Sequence, residues 1–510
     1  NQTSSFNVLL NFTSQFLRRV RHTIRDVRRV NVSEMLTYHD LTHHIIPGPQ
    51  SYSYFIPHLL LPLALLTPRS LLSRWQSIAL FMPIIVATTL HAWWSMGGVD
   101  VISVDTLLHA LLLLVLKDPW ADFRFVSRAR IGKHDDTRDM GINADLPAVT
   151  SNGQVNEQTS PTQPNGHTKR QDPSSQTSLP LTTEQPYPPT LRARLPWTGT
   201  LLVSLRLNNW KLNLPPHDRT QPPTPAFPTR RAFAAFALLS FLRGYATLDL
   251  TRAYISHDPY FTTPSLAIGS PLPFTALQGI PPQLLRSMVV GAQAWALLGQ
   301  LFYPVCLLPV GLHALGFLPD DWSPHLWAAY YGPPREIFLH GVRGFWGKYW
   351  HQTMRHSVST PGHAVAEALG LRGGSWGKYV VVTAVAFGLS GVVHMGLVPP
   401  EPLQATMRVG WIRLCVAGFF WVQAVAIFCE TLVARAAVAV YGLEYWQRGN
   451  GLTIRLVVNG LWVVAWFTLS LPLLAEFARQ LGYWTVWPLP VSVWNGLTTG
   501  RWITWPCLES

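Results

Sequence analysis

Long runs of apolar side chains recur along the chain and are separated by short polar segments. A helix that crosses a bilayer needs roughly 20 such residues, with a range of about 17 to 25. The stretch 483–498 is apolar but interrupted by Pro488 and Pro490, so it is either a ninth short span or an interfacial segment. We therefore expect an all-α polytopic membrane protein with about eight or nine transmembrane helices. The eight clear candidates lie near residues 53–67, 76–94, 101–116, 232–250, 285–310, 376–398, 410–434 and 454–475.

The cations between the first spans predict an orientation. Arg69 and Arg74 follow the first span, the loop after the second has no cation, and several Arg and Lys residues follow the third, in segment 124–133. The positive-inside rule then places the N-terminus in the lumen, with residues 1–52 as a luminal arm and 53–133 as the first three transmembrane helices. The basic cluster at 18–29 opposes this orientation, although an amphipathic arm lying on a membrane is compatible with either side.

Residues 134–195 differ from the rest of the chain. They are rich in Ser, Thr, Pro, Gln and Asn and have few large apolar side chains, so they cannot offset the entropy lost on ordering. We expect a disordered cytosolic insertion there. Residues 196–510 would then form the core of the protein with the remaining transmembrane helices, beginning with an interfacial helix over 196–214.

Composition narrows the class of protein. Of 510 residues, 48% are hydrophobic and only 13% are charged, which favours a membrane protein over a soluble one. The net charge of +13 fits anionic lipid, an anionic substrate or the positive-inside bias. Nucleic acid is a poor fit, because the cations lie beside apolar spans without a recognition motif. The four cysteines are far apart and predict neither a disulfide framework nor a zinc site, and no metal is expected.

A basic and aromatic block lies before the sixth predicted span. If residues 343–356 form one helix, Trp346, Trp350 and Met354 share an apolar face, and Lys348, His351, Gln352 and Arg355 gather on another. Such a helix suits either a cavity wall or a plain membrane surface with tryptophans at the headgroups.

Two predicted spans contain polar side chains. His394 lies near the end of the sixth span, one helical turn after Ser390, and ionisable groups at membrane depth usually face the protein interior and have a function. A structural, hydrogen-bonded imidazole is the alternative. In the next span Gln423 and Glu430 lie seven residues apart on one face. Glu430 either orients His394, lines the same cavity or pairs with Arg435.

The order of these motifs resembles a known family. YYGPPREIFLHGVRGFWGKYWHQTMR, then FGLSGVVH, then a span with Gln and Glu is similar to the wax-synthase branch of the membrane-bound O-acyltransferase superfamily, including fungal enzymes that acetylate terpenoids and related metabolites. The resemblance runs from about Ser204 to Glu430. It implies a helical bundle with a reaction tunnel and makes His394 the catalytic histidine. Lys348 stands where the wider superfamily has an aspartate, so that role does not carry over.

The resemblance implies acyl transfer from acyl-CoA to a hydroxyl group. His394 would act as the general base and His351 would stabilise the oxyanion or position the thioester. The substrate-binding candidates are Trp346, Trp350, Ser390, Gln423 and Glu430, and the candidates for acyl-CoA are Arg343, Lys348, Gln352 and Arg355.

The expected reaction is acetyl transfer from acetyl-CoA to a lipophilic acceptor such as a terpenoid, in the endoplasmic reticulum membrane and without a tightly bound cofactor. The partners would be acyl-CoA, the alcohol and membrane lipid. The alternatives are a long-chain wax-ester synthase, a proton-coupled transporter, and a non-catalytic lipid-binding scaffold.

Overall fold

A computed structural model describes most of the chain after residue 51. The described residues are 52–95, 100–128, 182–204, 206–207, 210–212, 227, 229–263, 265–318, 322, 327, 329–400, 408–485 and 488–504. The predicted luminal arm at 1–52 therefore lies almost entirely outside the described residues. Most of the predicted insertion, up to residue 181, lies outside them as well.

The N-terminal helices pack against one another. Helices α1 (Tyr52–Leu66) and α2 (Arg74–Ser95) are followed by α3 (Asp100–Ala110), which continues as a π-helical turn over Leu111–Leu116, and by the short α4 (Pro119–Asp122). Arg69 pairs with Asp118 at 3.0 Å, and Arg74 donates to the Val115 carbonyl at 2.6 Å. These two cations hold the end of the third apolar segment beside the loop that follows the first.

Three short strands interrupt the helical pattern. Strand β1 covers Phe123–Arg128, β2 covers Thr182–Gln185 and β3 covers Trp210–Leu212, and β1 pairs antiparallel with β3 so that Phe123 faces Leu212. The chain divides into a main unit, with residues up to Phe125 and from Pro186 onward, and a small unit over Val126–Gln185. Only strand residues of the small unit are described.

The predicted insertion is shorter at its C-terminal end than expected. Helix α5 runs from Leu191 to Val203, so it begins inside the predicted segment 134–195, and the helix expected over 196–214 ends early. Tyr187 donates to the Leu65 carbonyl at 2.8 Å, and Arg194 donates to the carbonyls of Leu66 and Pro188 at 3.2 and 3.0 Å. These contacts to α1 order a segment whose polar composition predicted disorder.

The remaining helices form the larger part of the main unit. They are α6 (Arg230–His257), α7 (Pro282–Ala314), α8 (Arg335–Gly344), α9 (Arg355–Ala368), α10 (Trp376–Met395), α11 (Val409–Tyr441), α12 (Gly449–Gln480) and α13 (Val493–Thr499). Single 3-10 turns occur at Pro259–Phe261, Thr275–Leu277, Tyr445–Gln447 and Tyr483–Thr485. Arg286 and Asp258, both buried, join α7 to the end of α6 through an ion pair of 2.8 Å.

Helices of spanning length confirm an integral membrane protein. Within the described ranges, six helices are long and apolar enough to cross a bilayer: Arg74–Trp93, Arg230–His257, Pro282–Ala314, Trp376–Met395, Val409–Tyr441 and Gly449–Gln480. The spans expected at 53–67 and 101–116 coincide with shorter apolar helices, Ser53–Leu66 and Val104–Leu116. In the ninth stretch the described residues form a 3-10 turn and the seven-residue helix α13, which is too short to span.

Candidate active site

The aromatic block does not form the continuous helix expected over 343–356. Helix α8 ends at Gly344, residues Phe345–Tyr349 form a π-helical turn, and Trp350 is extended with φ −60° and ψ 155°. Helix α9 begins only at Arg355. Because the chain turns at Trp350, His351 and Lys348 do not share one helix face, and the prediction of a common polar face was wrong.

Glu430 holds a break in α8 that begins this irregular segment. Gly341 has φ 62° and ψ −142°, a conformation open essentially to glycine, and a Cβ built there would collide with the Glu430 carboxylate. The carboxylate accepts hydrogen bonds from the backbone N–H groups of Val342 at 2.7 Å and Arg343 at 3.4 Å, and from the Trp462 indole at 3.2 Å. Glu430 therefore satisfies backbone donors that the break exposes.

A second set of contacts closes the turn before His351. The backbone N–H of Gly332 donates to the Tyr349 carbonyl at 2.8 Å, and a Cβ on Gly332 would collide with the Lys348 carbonyl. The buried Gln352 amide donates to the carbonyls of Trp346 at 2.9 Å and Trp350 at 2.7 Å. The side chain predicted to bind acyl-CoA is thus engaged in holding the turn.

His351 lies in this turn against an aromatic ring. Its imidazole stacks on Tyr330 with the ring centroids 5.5 Å apart and an interplanar angle of 11°, and Nδ1 lies 3.1 Å from the Thr353 hydroxyl. Burial, followed by the nearby His394 and Arg206, lowers the pKa of His351 to about 3, although the Asp105 carboxylate acts in the opposite direction. His351 is therefore neutral at physiological pH.

His394 occupies the last turn of α10. Its Nδ1 lies 2.7 Å from the Ser390 backbone carbonyl, and its ring stacks on Phe420 of α11 at a centroid distance of 4.0 Å and an angle of 29°. A carbonyl only accepts hydrogen bonds, so Nδ1 carries the proton and Nε2 keeps its lone pair. The expected contact with Ser390 exists, but it is made by the backbone rather than by the hydroxyl.

A series of ring contacts connects the two histidines. Phe420, which stacks on His394, lies 6.1 Å from Trp346 between ring centroids; Trp346 lies 5.9 Å from Trp350, and Trp350 lies 5.6 Å from His351. The two predicted substrate-binding tryptophans thus lie between the two predicted catalytic residues. They form an apolar, aromatic surface beside both imidazoles.

Gln423 fixes this surface from α11. The side chain is fully buried, and its carbonyl oxygen accepts from the indole N–H of Trp346 at 3.1 Å and of Trp466 at 2.9 Å. Its amide donates to the Phe419 carbonyl at 2.9 Å. Gln423 was predicted to bind substrate, yet these three bonds engage both ends of its amide.

A cavity of about 930 Å³ opens between α8, α10, α11 and α12. Its lining is largely apolar but includes four cationic side chains, while its one carboxylate, Glu430, is bound to backbone N–H groups. Cys429 also lines it, and Trp462 and Tyr379 contribute aromatic surface. The four cations are Arg343, Lys378, Arg435 and Arg455.

Of the four residues predicted to bind acyl-CoA, Arg343 lines this cavity and the other three do not. Lys348 pairs with Glu336 at 2.9 Å, and Arg355 donates to the Gly347 carbonyl at 3.3 Å. Burial acts to raise the pKa of Glu336, but the hydrogen bond and charge of Lys348 outweigh it and lower the pKa. Glu336 therefore stays ionised and holds Lys348 outside the cavity.

Several residues of the site were not predicted from the sequence. Lys378, Arg435 and Arg455 lie on three different helices, so no local pattern links them, and Phe420 and Tyr330 are ordinary aromatic residues in the sequence. A cation at the end of an apolar span was the available signal for the first three. In the described part of the chain, no three His, Cys, Asp or Glu side chains converge as metal ligands.

Comparison with known proteins gives a consistent result. The model of the membrane bound O-acyl transferase family matches residues 327–408, which include the aromatic block and His394. The chain is similar to the acetyltransferase eriL of Hericium erinaceus, at 27% identity over 61% of this chain and 73% of that protein.

The chain is also similar to two further fungal proteins that are named as acetyltransferases. They are the acetyltransferases ple2 of Rhodocybe pseudopiperita, at 28% identity over 55% of this chain and 66% of that protein, and aurG of Calcarisporium arbuscula, at 26% over 59% and 68%. No solved structure matches the chain.

Proposed function

We propose that this chain, an acyl-CoA-dependent O-acyltransferase of the membrane-bound kind that resembles fungal acetyltransferases, transfers an acetyl group from acetyl-CoA to a hydroxyl group of a lipophilic acceptor such as a terpenoid. The observation that carries the proposal is the state of His394. Its Nδ1 is bound to the Ser390 carbonyl, so Nε2 has a free lone pair, as a general base requires.

The reaction assigns one role to each histidine. His394 Nε2 takes the hydroxyl proton while the acceptor oxygen forms a bond to the thioester carbonyl carbon. The resulting oxyanion receives a hydrogen bond from the neutral His351 imidazole, in the tautomer in which Thr353 donates to Nδ1 and Nε2 carries the proton. When the tetrahedral intermediate collapses, the carbon–sulfur bond breaks and the CoA thiolate takes from His394 the proton that the alcohol gave up.

The basic cavity is our candidate for the donor head group. Phosphate oxygens of CoA suit the four cations Arg343, Lys378, Arg435 and Arg455, because charge-assisted hydrogen bonds to phosphate are the stronger kind. The cavity lies at the ends of α10, α11 and α12 that the positive-inside rule assigns to the cytosol. A donor bound there would enter from the compartment that contains Arg69 and Arg74.

The distance between the cavity and His394 suits an extended thioester arm. Glu430 borders the cavity and Phe420 stacks on His394, and these residues lie ten positions apart on α11, or about 15 Å at 1.5 Å per residue. The arm would pass along Trp346, which Gln423 holds in place. A reaction tunnel along this line stays a prediction.

The aromatic surface beside the histidines is our candidate for the acceptor site. Rings of Trp346, Trp350 and Phe420 offer apolar contact area for a rigid hydrocarbon skeleton without much loss of side-chain entropy. A lipophilic alcohol would reach them from the bilayer. We also propose that the protein resides in the endoplasmic reticulum membrane, with residues 196–510 as the acyltransferase core and most of 134–195 dispensable for the reaction.

An assay of purified protein in detergent tests the proposal. Acetyl-CoA, butyryl-CoA and palmitoyl-CoA would each be combined with a panel of hydroxylated sesquiterpenes, hydroxylated diterpenes and 1-hexadecanol. Free thiol would be followed by a colorimetric reagent and products by mass spectrometry. We expect acetyl esters of the terpenoid alcohols, and His394→Gln should abolish them.

Other outcomes would redirect the assignment. Long-chain esters formed only with palmitoyl-CoA and 1-hexadecanol would replace the proposal by wax-ester synthesis. Equal ester formation by the wild-type protein and by His394→Gln would refute the assigned chemistry.

A further inference from the structure

A strained corner of the chain lies beside His351. Leu207 has a φ of 51°, which a non-glycine residue seldom adopts, and its side chain is buried in the core formed by the N-terminal helices, α6 and α7. Its backbone N–H donates to the Ser204 carbonyl at 2.7 Å, and its carbonyl accepts from Trp210 at 3.1 Å. Core packing of the Leu207 side chain and these two backbone bonds fix the backbone at the preceding residue, Arg206, and so restrict where its side chain can reach.

Arg206 lies near both chain segments that flank His351, and it bonds directly to one of them. On one side its guanidinium donates to the Ala329 carbonyl at 2.6 Å, and Ala329 is directly followed by Tyr330, the residue that stacks on His351. On the other side Arg206 lies close enough to His356, five residues after His351, for the two side chains to interact electrostatically. Arg206 thus holds the segment that carries the stacking ring and lies beside the segment that carries the imidazole.

The ring that stacks on His351 is itself held tightly. Tyr330 is buried and packs on Phe302 at a centroid distance of 4.3 Å and on Tyr331 at 4.9 Å. Without the Arg206 bond, the Ala329 carbonyl would lose its charged donor, and the segment before Tyr330 would be free to shift. A shift there would change the position of the imidazole directly.

The charge of Arg206 supports the same role. Three titratable groups act on His351: Arg206, His394 of α10 and Asp105 of α3. Arg206 lowers the pKa of His351, after burial and His394, and so favours the neutral ring that can donate a hydrogen bond to an oxyanion. Asp105 acts in the opposite direction.

We propose that Arg206 is a positioning residue that holds the His351 imidazole against Tyr330 for reaction with the thioester, an inference that rests on the function proposed above. Arg206 lies in neither of the substrate sites proposed above, so its effect is expected on the chemical step rather than on binding. A misplacement of about 1 Å by a change away from the reacting atoms costs roughly 100-fold in rate.

Kinetics of three variants test this role, with acetyl-CoA and the best alcohol of the panel as substrates. Arg206→Gln should lower kcat about 100-fold and leave both KM values within about twofold. Arg206→Lys keeps a charged donor and should recover kcat to within about tenfold of wild type. Tyr330→Leu should resemble Arg206→Gln, and the double variant should be little worse than either, because both changes remove one support.

Arg194→Gln is the matched control. Arg194 is a buried arginine that likewise donates to backbone carbonyls, those of Leu66 and Pro188, away from the histidines. It should lower the melting temperature about as much as Arg206→Gln while leaving kcat per folded molecule unchanged.

The outcomes separate this inference from the proposed function. A kcat for Arg206→Gln within about threefold of wild type, a loss confined to KM, or an equal loss of kcat in Arg194→Gln would overturn the positioning role. If Arg206→Gln fails to fold, the other two variants test the role. A kcat for Tyr330→Leu within about threefold of wild type, or a kcat for Arg206→Lys reduced about 100-fold, would overturn it. His351→Gln and His394→Gln, measured in parallel, must lose turnover; if they do not, the proposed function fails together with the inference.

Discussion

Arg343→Gln is the sharpest test of the donor site. Arg343 lines the basic cavity and is exposed in it, and it follows the break at Gly341 that Glu430 holds. The substitution removes the positive charge and keeps a polar side chain of similar reach. Backbone N–H groups, not the guanidinium, bind Glu430, so the break should survive the change.

The size of the effect follows from the exposure of the guanidinium. Two unit charges 4 Å apart attract by about 1 kcal/mol in water and by about 4 kcal/mol near a protein surface. Because Arg343 is exposed, the lower part of this range applies, and we expect about 1 to 2 kcal/mol. That corresponds to a rise in the KM for acetyl-CoA of about 5- to 30-fold.

The assay compares two donors that share a thioester. Acetyl-CoA carries the nucleotide and its phosphates, whereas S-acetyl-N-acetylcysteamine lacks them. Arg343→Gln should raise the KM of acetyl-CoA and leave that of the truncated donor unchanged, and raising the salt concentration should reduce the difference between variant and wild type. The kcat with saturating acetyl-CoA should stay near the wild-type value, because phosphates bound in this cavity would lie far from the reacting atoms.

Arg335→Gln is the matched control for this prediction. Arg335 is an exposed arginine of the same helix, it lies near Glu336 at 3.5 Å, and it does not line the cavity. It should leave both KM values unchanged. An unchanged KM for acetyl-CoA in Arg343→Gln, or an equal rise for both donors, would show that the CoA phosphates do not bind in this cavity.

Four further predictions concern the residues around the histidines. His394→Gln should lower kcat by about 100- to 10,000-fold in protein that still folds, because the general base is lost. Gln423→Leu should destabilise the protein by about 3 kcal/mol in thermal unfolding, since two buried indole donors lose their acceptor. Gly341→Ala should cost about 1 to 3 kcal/mol and reduce activity, because the new Cβ meets the Glu430 carboxylate at a strained φ of 62°. The folded chain keeps His351 neutral down to its pKa of about 3, whereas the unfolded chain takes up a proton as the pH falls through 6.5, so the free energy of unfolding decreases as the pH is lowered. His351→Gln should remove about 1.6 kcal/mol of the loss between pH 6.5 and 5, measured as the shift in melting temperature.

Three substitutions elsewhere serve as controls. His257→Gln changes a histidine of α6 that bonds the Ala253 carbonyl, and it should leave kcat intact. Gln283→Leu removes one hydrogen bond, to the Thr468 carbonyl, and should cost about 1 kcal/mol. Gly347→Ala places a Cβ where no atom lies within 4 Å, so it should be tolerated. An effect of the same size in a variant and in its control, such as Gly341→Ala and Gly347→Ala, would contradict that prediction. The prediction for His351 fails if the melting temperature of His351→Gln depends on pH as that of the wild type does.

The spans and His394 could be predicted from the sequence for one physical reason. Every backbone group in the bilayer must be bonded internally, so a long apolar run has little choice but a helix. The runs near 232–250, 285–310 and 410–434 accordingly lie inside α6, α7 and α11. His394 stood out because an imidazole in such a run is costly unless it has a partner, and the structure supplies the Ser390 carbonyl.

The irregular segment around His351 could not be predicted from the sequence in the same way. Its aromatic residues recur at helical spacing, yet the chain turns there because contacts far apart in sequence determine its course. Glu430 binds the N–H groups after Gly341, and Gly332 binds the Tyr349 carbonyl. Local periodicity contains no information about a carboxylate some ninety residues downstream. The helix that begins at Leu191 was missed for a similar reason, since its order depends on contacts with α1.

Polar groups within the spans divide according to how much of their hydrogen-bonding capacity the protein itself uses. Both ends of the Gln423 amide and both carboxylate oxygens of Glu430 are bound, so these residues are better explained as supports of the aromatic surface and of the break in α8 than as ligands of a substrate. His394 keeps the lone pair of Nε2, which is the atom that a proton from an alcohol requires. The sequence shows that a polar side chain lies at membrane depth, and only the count of its bonds separates a support from a reacting group. By this criterion the proposed reaction uses an imidazole with unused capacity, while Gln423 and Glu430 act as supports because their bonds are already made.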